Sequence, residues 1–233
     1  MTIQDKPERL EITSSNPFYM TSDLHFFHKR ICDFTERKKY TNTEQHNQWL
    51  IQQLNKTIPV ATDTVKPITL HLGDMFFSCT NEEAINVLSQ LNGDWWFVSG
   101  NHDSTGKLET VINSVNQMKG TNHRLLGWYY RFNIVEKSEV KDKKDFKKLV
   151  ILCHFPIESW DSMGRGSWHC FGHLHSKTVD HHSGQEMSSI PNRLDCGIDN
   201  AYKLYGEHKP FSWKEIKQFM KKSGFVYKEE QAR

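Results

Sequence analysis

Five short polar blocks, each directly after an apolar run, hold the residues of this sequence best suited to chemistry. Phe18 to Thr21 leads into Ser22-Asp23-Leu24-His25, and Ile68 to Leu72 leads into Gly73-Asp74. Trp95 to Val98 is followed by Gly100-Asn101-His102-Asp103, Leu149 to Cys153 by His154-Phe155-Pro156, and Trp168 to Phe171 by Gly172-His173-Leu174-His175. Asp23, His25, Asp74, Asn101, His154, His173 and His175 offer carboxylate, amide and imidazole donors and no thiolate. That set suits Mn, Fe, Zn or Ni and argues against Ca. Seven donors exceed one tetrahedral zinc and suit two divalent ions sharing a bridging carboxylate, with Mn the expected metal. Two ions roughly 3.5–4 Å apart can clamp the attacking and leaving oxygens of an in-line phosphoryl displacement. Gly73, Gly100 and Gly172 each precede a ligand, where a side chain would crowd the turn.

The apolar runs that carry these blocks read as strands. Between them, Thr41 with Glu44, Thr80 with Glu83 and Ser212 with Glu215 have capping-box spacing and predict helix starts. Trp49, Leu50 and Leu54 follow at helical spacing, as do Ala84, Val87, Leu88 and Leu91. Strand–helix–strand–helix–strand to about residue 99 is an α/β signature. The second half is richer in strands, with a Lys-rich hairpin turn from Lys137 to Lys148 and a strand at Cys196–Asp199. This order fits a mixed two-sheet sandwich flanked by helices. In open α/β sheets, side chains at the carboxyl ends of strands converge on a crevice, which is where the five blocks fall. No repeat or Pro/Gly/Ser-rich linker interrupts the chain, so a single domain over residues 1–233 is expected, with 1–16 a peripheral extension.

The series Asp-x-His, Gly-Asp, Gly-Asn-His-Asp, a lone His and Gly-His-x-His, spanning Asp23 to His175, resembles the calcineurin-like metallophosphoesterase superfamily, in its compact single-domain bacterial and viral branch. Gly166-Ser167-Trp168-His169, Cys196-Gly197-Ile198-Asp199 and Lys209-Pro210-Phe211-Ser212 add to the likeness. Phe27 departs from it, standing where glycine is expected, and would narrow the site mouth. The resemblance implies a four-layer α/β/β/α sandwich and hydrolysis of a phosphate ester by a metal-bridging hydroxide. It implies that Asp23, His25 and His175 hold one metal and Asn101, His154 and His173 the other, with Asp74 bridging. His102 would stabilise the phosphate or protonate the leaving oxygen, and Asp103 would orient His102.

His28, three residues after His25, is either a substrate contact or a structural or solvent-facing residue, and Arg37 and Arg165 are candidate bidentate phosphate clamps for which a surface ion pair is the favoured reading. His169 is either a partner to the ligands or a packed strand residue, and His181-His182 reads as an exposed turn. The six lysines from Lys137 to Lys148 read as a solvated tip.

The 30 basic and 28 acidic side chains give a net charge of +2, with 36% hydrophobic and 25% charged residues. That balance supplies no general field for nucleic acid or an anionic membrane. A small phosphate-ester or nucleotide-like substrate is expected, with nucleic acid not favoured. Five cysteines without a C-x-x-C pair, no apolar leader and no long apolar run predict a reduced, cytoplasmic protein. A phosphodiester is favoured over a monoester, because little chain remains for a cap over the site. The alternatives are a nucleotide or polynucleotide phosphatase or nuclease of the same fold, and a non-catalytic scaffold, which the presence of His102 disfavours.

Overall fold

The computed structural model describes residues 4–177 and 190–223, so His181-His182 lie outside the described residues. Among the described residues, ten strands follow largely from the apolar runs. They are β1 (Glu8–Ile12), β2 (Phe18–Thr21), β3 (Ile68–Leu72), β4 (Asp94–Val98), β5 (Arg124–Gly127), β6 (Tyr129–Glu136), β7 (Phe146–Cys153), β8 (Trp168–Phe171), β9 (Arg193–Asp195) and β10 (Phe211–Ser212). They form two five-stranded sheets, β10-β2-β3-β4-β5 and β1-β6-β7-β8-β9. In the first, β2 to β5 are parallel and β10 is antiparallel. In the second, only the β6–β7 hairpin is antiparallel. Buried on both faces, β3 and β4 read as continuous rather than alternating apolar runs.

The two sheets face each other across a core of Met20, Leu70, Leu72 and Val98 against Phe132, Val150, Leu152 and Cys170. Burying each large aliphatic or aromatic side chain here contributes roughly 1.5–3 kcal/mol. A second core lies on the far side of the first sheet. There α2 (Thr43–Thr57), α3 (Asn81–Gln90) and α4 (Thr105–Lys119) pack Leu50, Leu54, Val87, Leu88, Val111 and Val115 near Trp95 and Phe97. A short turn, α1 (Ile31–Phe34), precedes them, and α5 (Ile198–Tyr205) and α6 (Trp213–Ser223) are the last described helices. α6 packs against β9, β10 and β2, the edge where the sheets meet. Its Trp213 touches Phe18, Phe146 and Trp168, with ring centroids 5.8, 6.2 and 5.8 Å away. The molecule is thus α/β, two mixed sheets flanked by helices. Among the described residues the helical cover is concentrated on one sheet and this seam.

Several expectations need correction. Residues 8–12 are not peripheral: β1 pairs in parallel with β6, and Leu10 and Ile12 enter the core. The first turn of α2 is capped by Asn42, whose side chain accepts from the Gln45 N–H, and not by Thr41. Asn42 stands one residue nearer the first helical turn. The Thr80–Glu83 and Ser212–Glu215 boxes form. Cys196–Asp199 is not a strand: β9 ends at Asp195 and α5 begins at Ile198, after Gly197 turns the chain. The Lys-rich segment does close a hairpin, with Lys141, Lys143 and Lys144 exposed. Among the described residues no helix is long and apolar enough to cross a membrane.

Candidate metal centre

The topology brings the five blocks together. β2, β3 and β4 run parallel in one sheet and β7, β8 and β9 in the other, and their carboxyl ends meet in one crevice. Ser22 and Gly197 form a parallel bridge between the two sheets, with the Ile198 N–H donating to the Ser22 carbonyl at 3.2 Å.

All seven expected ligands converge. In one group, His25 Nε2 lies 3.2 Å from His175 Nε2, which is 3.8 Å from Asp23 Oδ1. In the other, Asn101 Oδ1 lies 3.0 Å from His154 Nε2 and 3.1 Å from His173 Nδ1. Asp74 Oδ2 sits between them, 3.6 Å from His25 Nε2 and 3.3 Å from His154 Nε2. Donor atoms of Asp23, His25 and His175 all lie within 4.8 Å of one another, as do those of Asp23, Asp74 and His154. Asp23 therefore reaches both groups, which its sequence position did not indicate.

The backbone is held for this purpose. Asp23, His25, Asp74, His173 and His175 have φ of 57°, 50°, 61°, 75° and 49°, the left-handed region that costs non-glycine residues on the order of 1–3 kcal/mol each. Such conformations persist where the surroundings impose them, and here they turn these side chains inward. A Cβ on Gly100 would lie 2.2 Å from Asp74 Oδ1, so only glycine lets these two loops touch. The fit to a cation is chemical as well. Two imidazole nitrogens face each other at 3.2 Å, and the buried His25 Nδ1 has no hydrogen-bond partner.

Partners of the ligands fix which nitrogen faces inward. The Leu72 carbonyl lies 2.8 Å from His154 Nδ1, and Asp199 Oδ2 lies 2.8 Å from His175 Nδ1, leaving both Nε2 atoms toward the cluster. Burial opposes charge on His154, but Asp74 and Asp23 raise it to about 9. Burial likewise opposes charge on Asp74, yet His154 and His25 hold its carboxyl well below the usual range. Burial and the neighbouring His175 lower His25. A cation among these groups would compete with the His154 proton.

The remaining expectations divide. His102 is exposed at the rim, its ring 5.5 Å from that of His25 and 5.2 Å from that of Phe77, with its N–H on Asp74 Oδ1 at 2.9 Å. Asp103 does not orient its imidazole. Its carboxylate accepts the N–H groups of Asp74, Gly100 and Met75 at 2.7, 2.9 and 3.0 Å, stapling two loops together. Burial, with Asp74 adding to it, raises that carboxyl to about 6. Arg37 is neither a phosphate clamp nor a surface pair. It is 3% exposed and grips Asp199 with two bonds of 2.8 and 2.9 Å, while also donating to the Leu24 and Asp23 carbonyls. Arg165 is exposed in a 3₁₀ turn and donates to Ser162 Oγ, not to a site residue. His28 does reach the site, with its ring 5.6 Å from that of His25. His169 is a packed strand residue between the Ile151 and Phe155 carbonyls. Phe27 keeps the left-handed turn at φ 69°, its N–H on Asn47 Oδ1, and packs against the helix-side core instead of narrowing the mouth.

Sequence reading missed Asp199 as the carboxylate behind His175, because no local spacing links positions 24 residues apart. A 210 Å³ cavity beside His102 and Lys107 adjoins the centre. A larger one of 530 Å³ lies at the opposite strand ends, between Ile12, Lys143 and Lys221, and holds none of these groups.

The fold and site define an α/β protein of two mixed sheets with a buried His/Asp cluster able to hold metal ions. No family model matches the chain. An uncharacterized protein of Methanocaldococcus jannaschii is 34% identical over 100 residues, 42% of this chain and 53% of that protein, so the chain spans about half the length of this relative. The crystal structure of a protein of unknown function from Aquifex aeolicus matches with a TM-score of 0.54 and 16% identity, over 87% of this chain and 98% of that one. That likeness is one of fold.

Proposed function

We propose that this chain is a calcineurin-like, two-metal phosphoesterase with a preference for phosphodiesters. The observation that carries the reading is the position of Asp74 Oδ2, 3.6 and 3.3 Å from one histidine of each ligand group. Asp23, His25 and His175 would hold one ion and Asn101, His154 and His173 the other, with Asp74 shared. Divalent ions bound there supply Lewis acidity and lower the pKa of water. In the hydrolysis a water oxygen bonds to phosphorus, the ester P–O bond breaks, and the leaving oxygen takes a proton. His102 suits that last role or charge stabilisation, being at the rim beside His25 with its backbone anchored on Asp74.

The diester preference rests on charge. Arg37 is neutralised by Asp199 and Arg165 bonds Ser162, so neither is placed to hold a dianionic monoester. The exposed Asn101 and His102 leave the rim open to substituents on the phosphate.

The test is Mn-loaded protein with bis(p-nitrophenyl) phosphate and p-nitrophenyl phosphate. We expect two metal equivalents per chain, loss of both on Asp74→Asn, and the larger kcat/KM for the diester. His102→Ala should retain both ions and lose ~10²–10³ in turnover. Full activity with one equivalent overturns the two-metal reading, and a monoester better by about tenfold overturns the ester preference.

A further inference from the structure

His102 stands at the rim of the centre with its backbone anchored and its ring not. Its N–H donates to Asp74 Oδ1 at 2.9 Å, but among the described residues its imidazole has no hydrogen-bond partner. The neighbouring Asp103 carboxylate is taken up by three backbone N–H groups. An exposed side chain held only at its backbone exchanges among staggered rotamers, and not all of them turn the ring to the mouth. A group that must meet a substrate oxygen works best when its geometry is fixed beforehand.

The contact left to do this is aromatic. Phe77, half-buried on the loop after β3, is surrounded by three imidazoles. Its ring centroid lies 5.2 Å from that of His102, 4.1 Å from that of His28 and 6.4 Å from that of His25. The His102 separation falls inside the roughly 4.5–7 Å range that aromatic pairs favour. Phe77 is itself fixed. Its N–H donates to the Phe26 carbonyl at 2.8 Å, next to the parallel bridge between the buried Phe26 and Phe76. His28, which packs nearest to it, accepts the Arg30 N–H on Nδ1 at 3.1 Å. A chain of held groups therefore runs from the loop after β2, through His28 and Phe77, to His102.

We infer that Phe77 is the positioning residue for His102, fixing by ring packing the imidazole that no carboxylate orients. The inference rests on the phosphoesterase reading for what His102 does, but not for how it is held.

The experiment has one arm that needs no catalysis and one that does. In full-length, metal-free protein with isotope-labelled histidines, the His102 ring resonances are identified by their loss in His102→Ala. In wild type they should be shifted by the Phe77 ring, and in Phe77→Ala they should move to the positions of a free imidazole. In the second arm, Mn-loaded Phe77→Ala should keep both ions, hold KM for bis(p-nitrophenyl) phosphate within about threefold, and lose about tenfold in kcat. Phe77→Tyr keeps the ring and should stay within about threefold of wild type. Phe77→Leu keeps apolar bulk without the ring and should match Phe77→Ala, so the test survives an alanine variant that fails to fold. In a His102→Ala background, Phe77→Ala should cost less than about twofold, because the group it positions is gone. The same tenfold loss in both backgrounds, or loss of metal, makes Phe77 a support of the fold and overturns the inference. So does an unmoved His102 resonance. Wild type that shows the shift but hydrolyses no ester overturns the phosphoesterase reading and leaves the hold of Phe77 on His102 standing.

Discussion

His175 turns Nε2 toward the cluster because Asp199 holds its Nδ1 at 2.8 Å, and Asp199 is itself held by Arg37. Burial would raise the Asp199 carboxyl, but Arg37 and His175 keep it well below the usual range. Asp199 thus stays ionised behind His175. Asp199→Asn should weaken metal binding by about 10–100-fold in a calorimetric titration. It also leaves the Arg37 guanidinium buried without its counter-charge, so stability should fall by about 3–5 kcal/mol in urea unfolding. Replacing both, as Arg37→Met with Asp199→Leu, should restore much of the stability and none of the affinity. Equal recovery of both would mean that Asp199 acts on the fold and not on His175.

The elements position the site through the places where they stop. β2, β3, β4, β7 and β8 each end one to three residues before a residue of the cluster, and the connecting loops touch so closely that Gly100 has no room for a methyl group. Gly100→Ala must push against the Asp74 backbone N at 2.4 Å as well as its carboxylate. Overpacking of this kind costs about 1–3 kcal/mol. The displaced residue is the proposed shared ligand, so metal stoichiometry should drop in elemental analysis while far-UV circular dichroism is unchanged. β1 tests the other end of the second sheet. Leu10 is 6% exposed in the inter-sheet core, so Leu10→Ala should cost about 2–5 kcal/mol of unfolding free energy. A loss below 0.5 kcal/mol would instead match a peripheral segment.

Across the whole molecule, buried neutral histidines set the response to acid. Burial pushes His71 down to about 3, and His123 and His169 to about 4. Their unfolded-state value is about 6.5, so below that pH the unfolded chain binds protons that the folded chain refuses. Their contribution is present in full above pH 6.5 and is lost as pH falls toward 4. Each pKa unit is about 1.4 kcal/mol, and two or more units on three residues approach the stability of an ordinary domain. The urea midpoint of metal-free protein should therefore fall steeply from pH 6.5 to 4. His169→Gln should flatten that slope even where it lowers the midpoint at pH 7. An unchanged slope would assign the acid sensitivity to other groups.

The sequence by itself determined the strands and the side chains that their carboxyl ends bring together. An apolar run followed by glycine and a polar turn is a local signal, and parallel strands buried on both faces keep it continuous. Phe18–Thr21, Ile68–Leu72 and Trp168–Phe171 stand in the structure with the bounds their residues predict. β1 was not legible, because Arg9 and Glu11 face outward, Glu8 is held by Arg124 and Tyr130, and only Leu10 and Ile12 remain as apolar signal. The roles of Asp103, Arg37 and Asp199 were decided by tertiary structure alone. Adjacency suggested that Asp103 served His102, but its carboxylate is turned toward the N–H groups of another loop. Arg37 read as a surface group, yet the sheets bring Asp199 against it from 162 residues away and bury both. Local pattern fixes which residues end a strand. Which of them meet, and with what charge between them, follows only once two sheets have packed and water has been excluded.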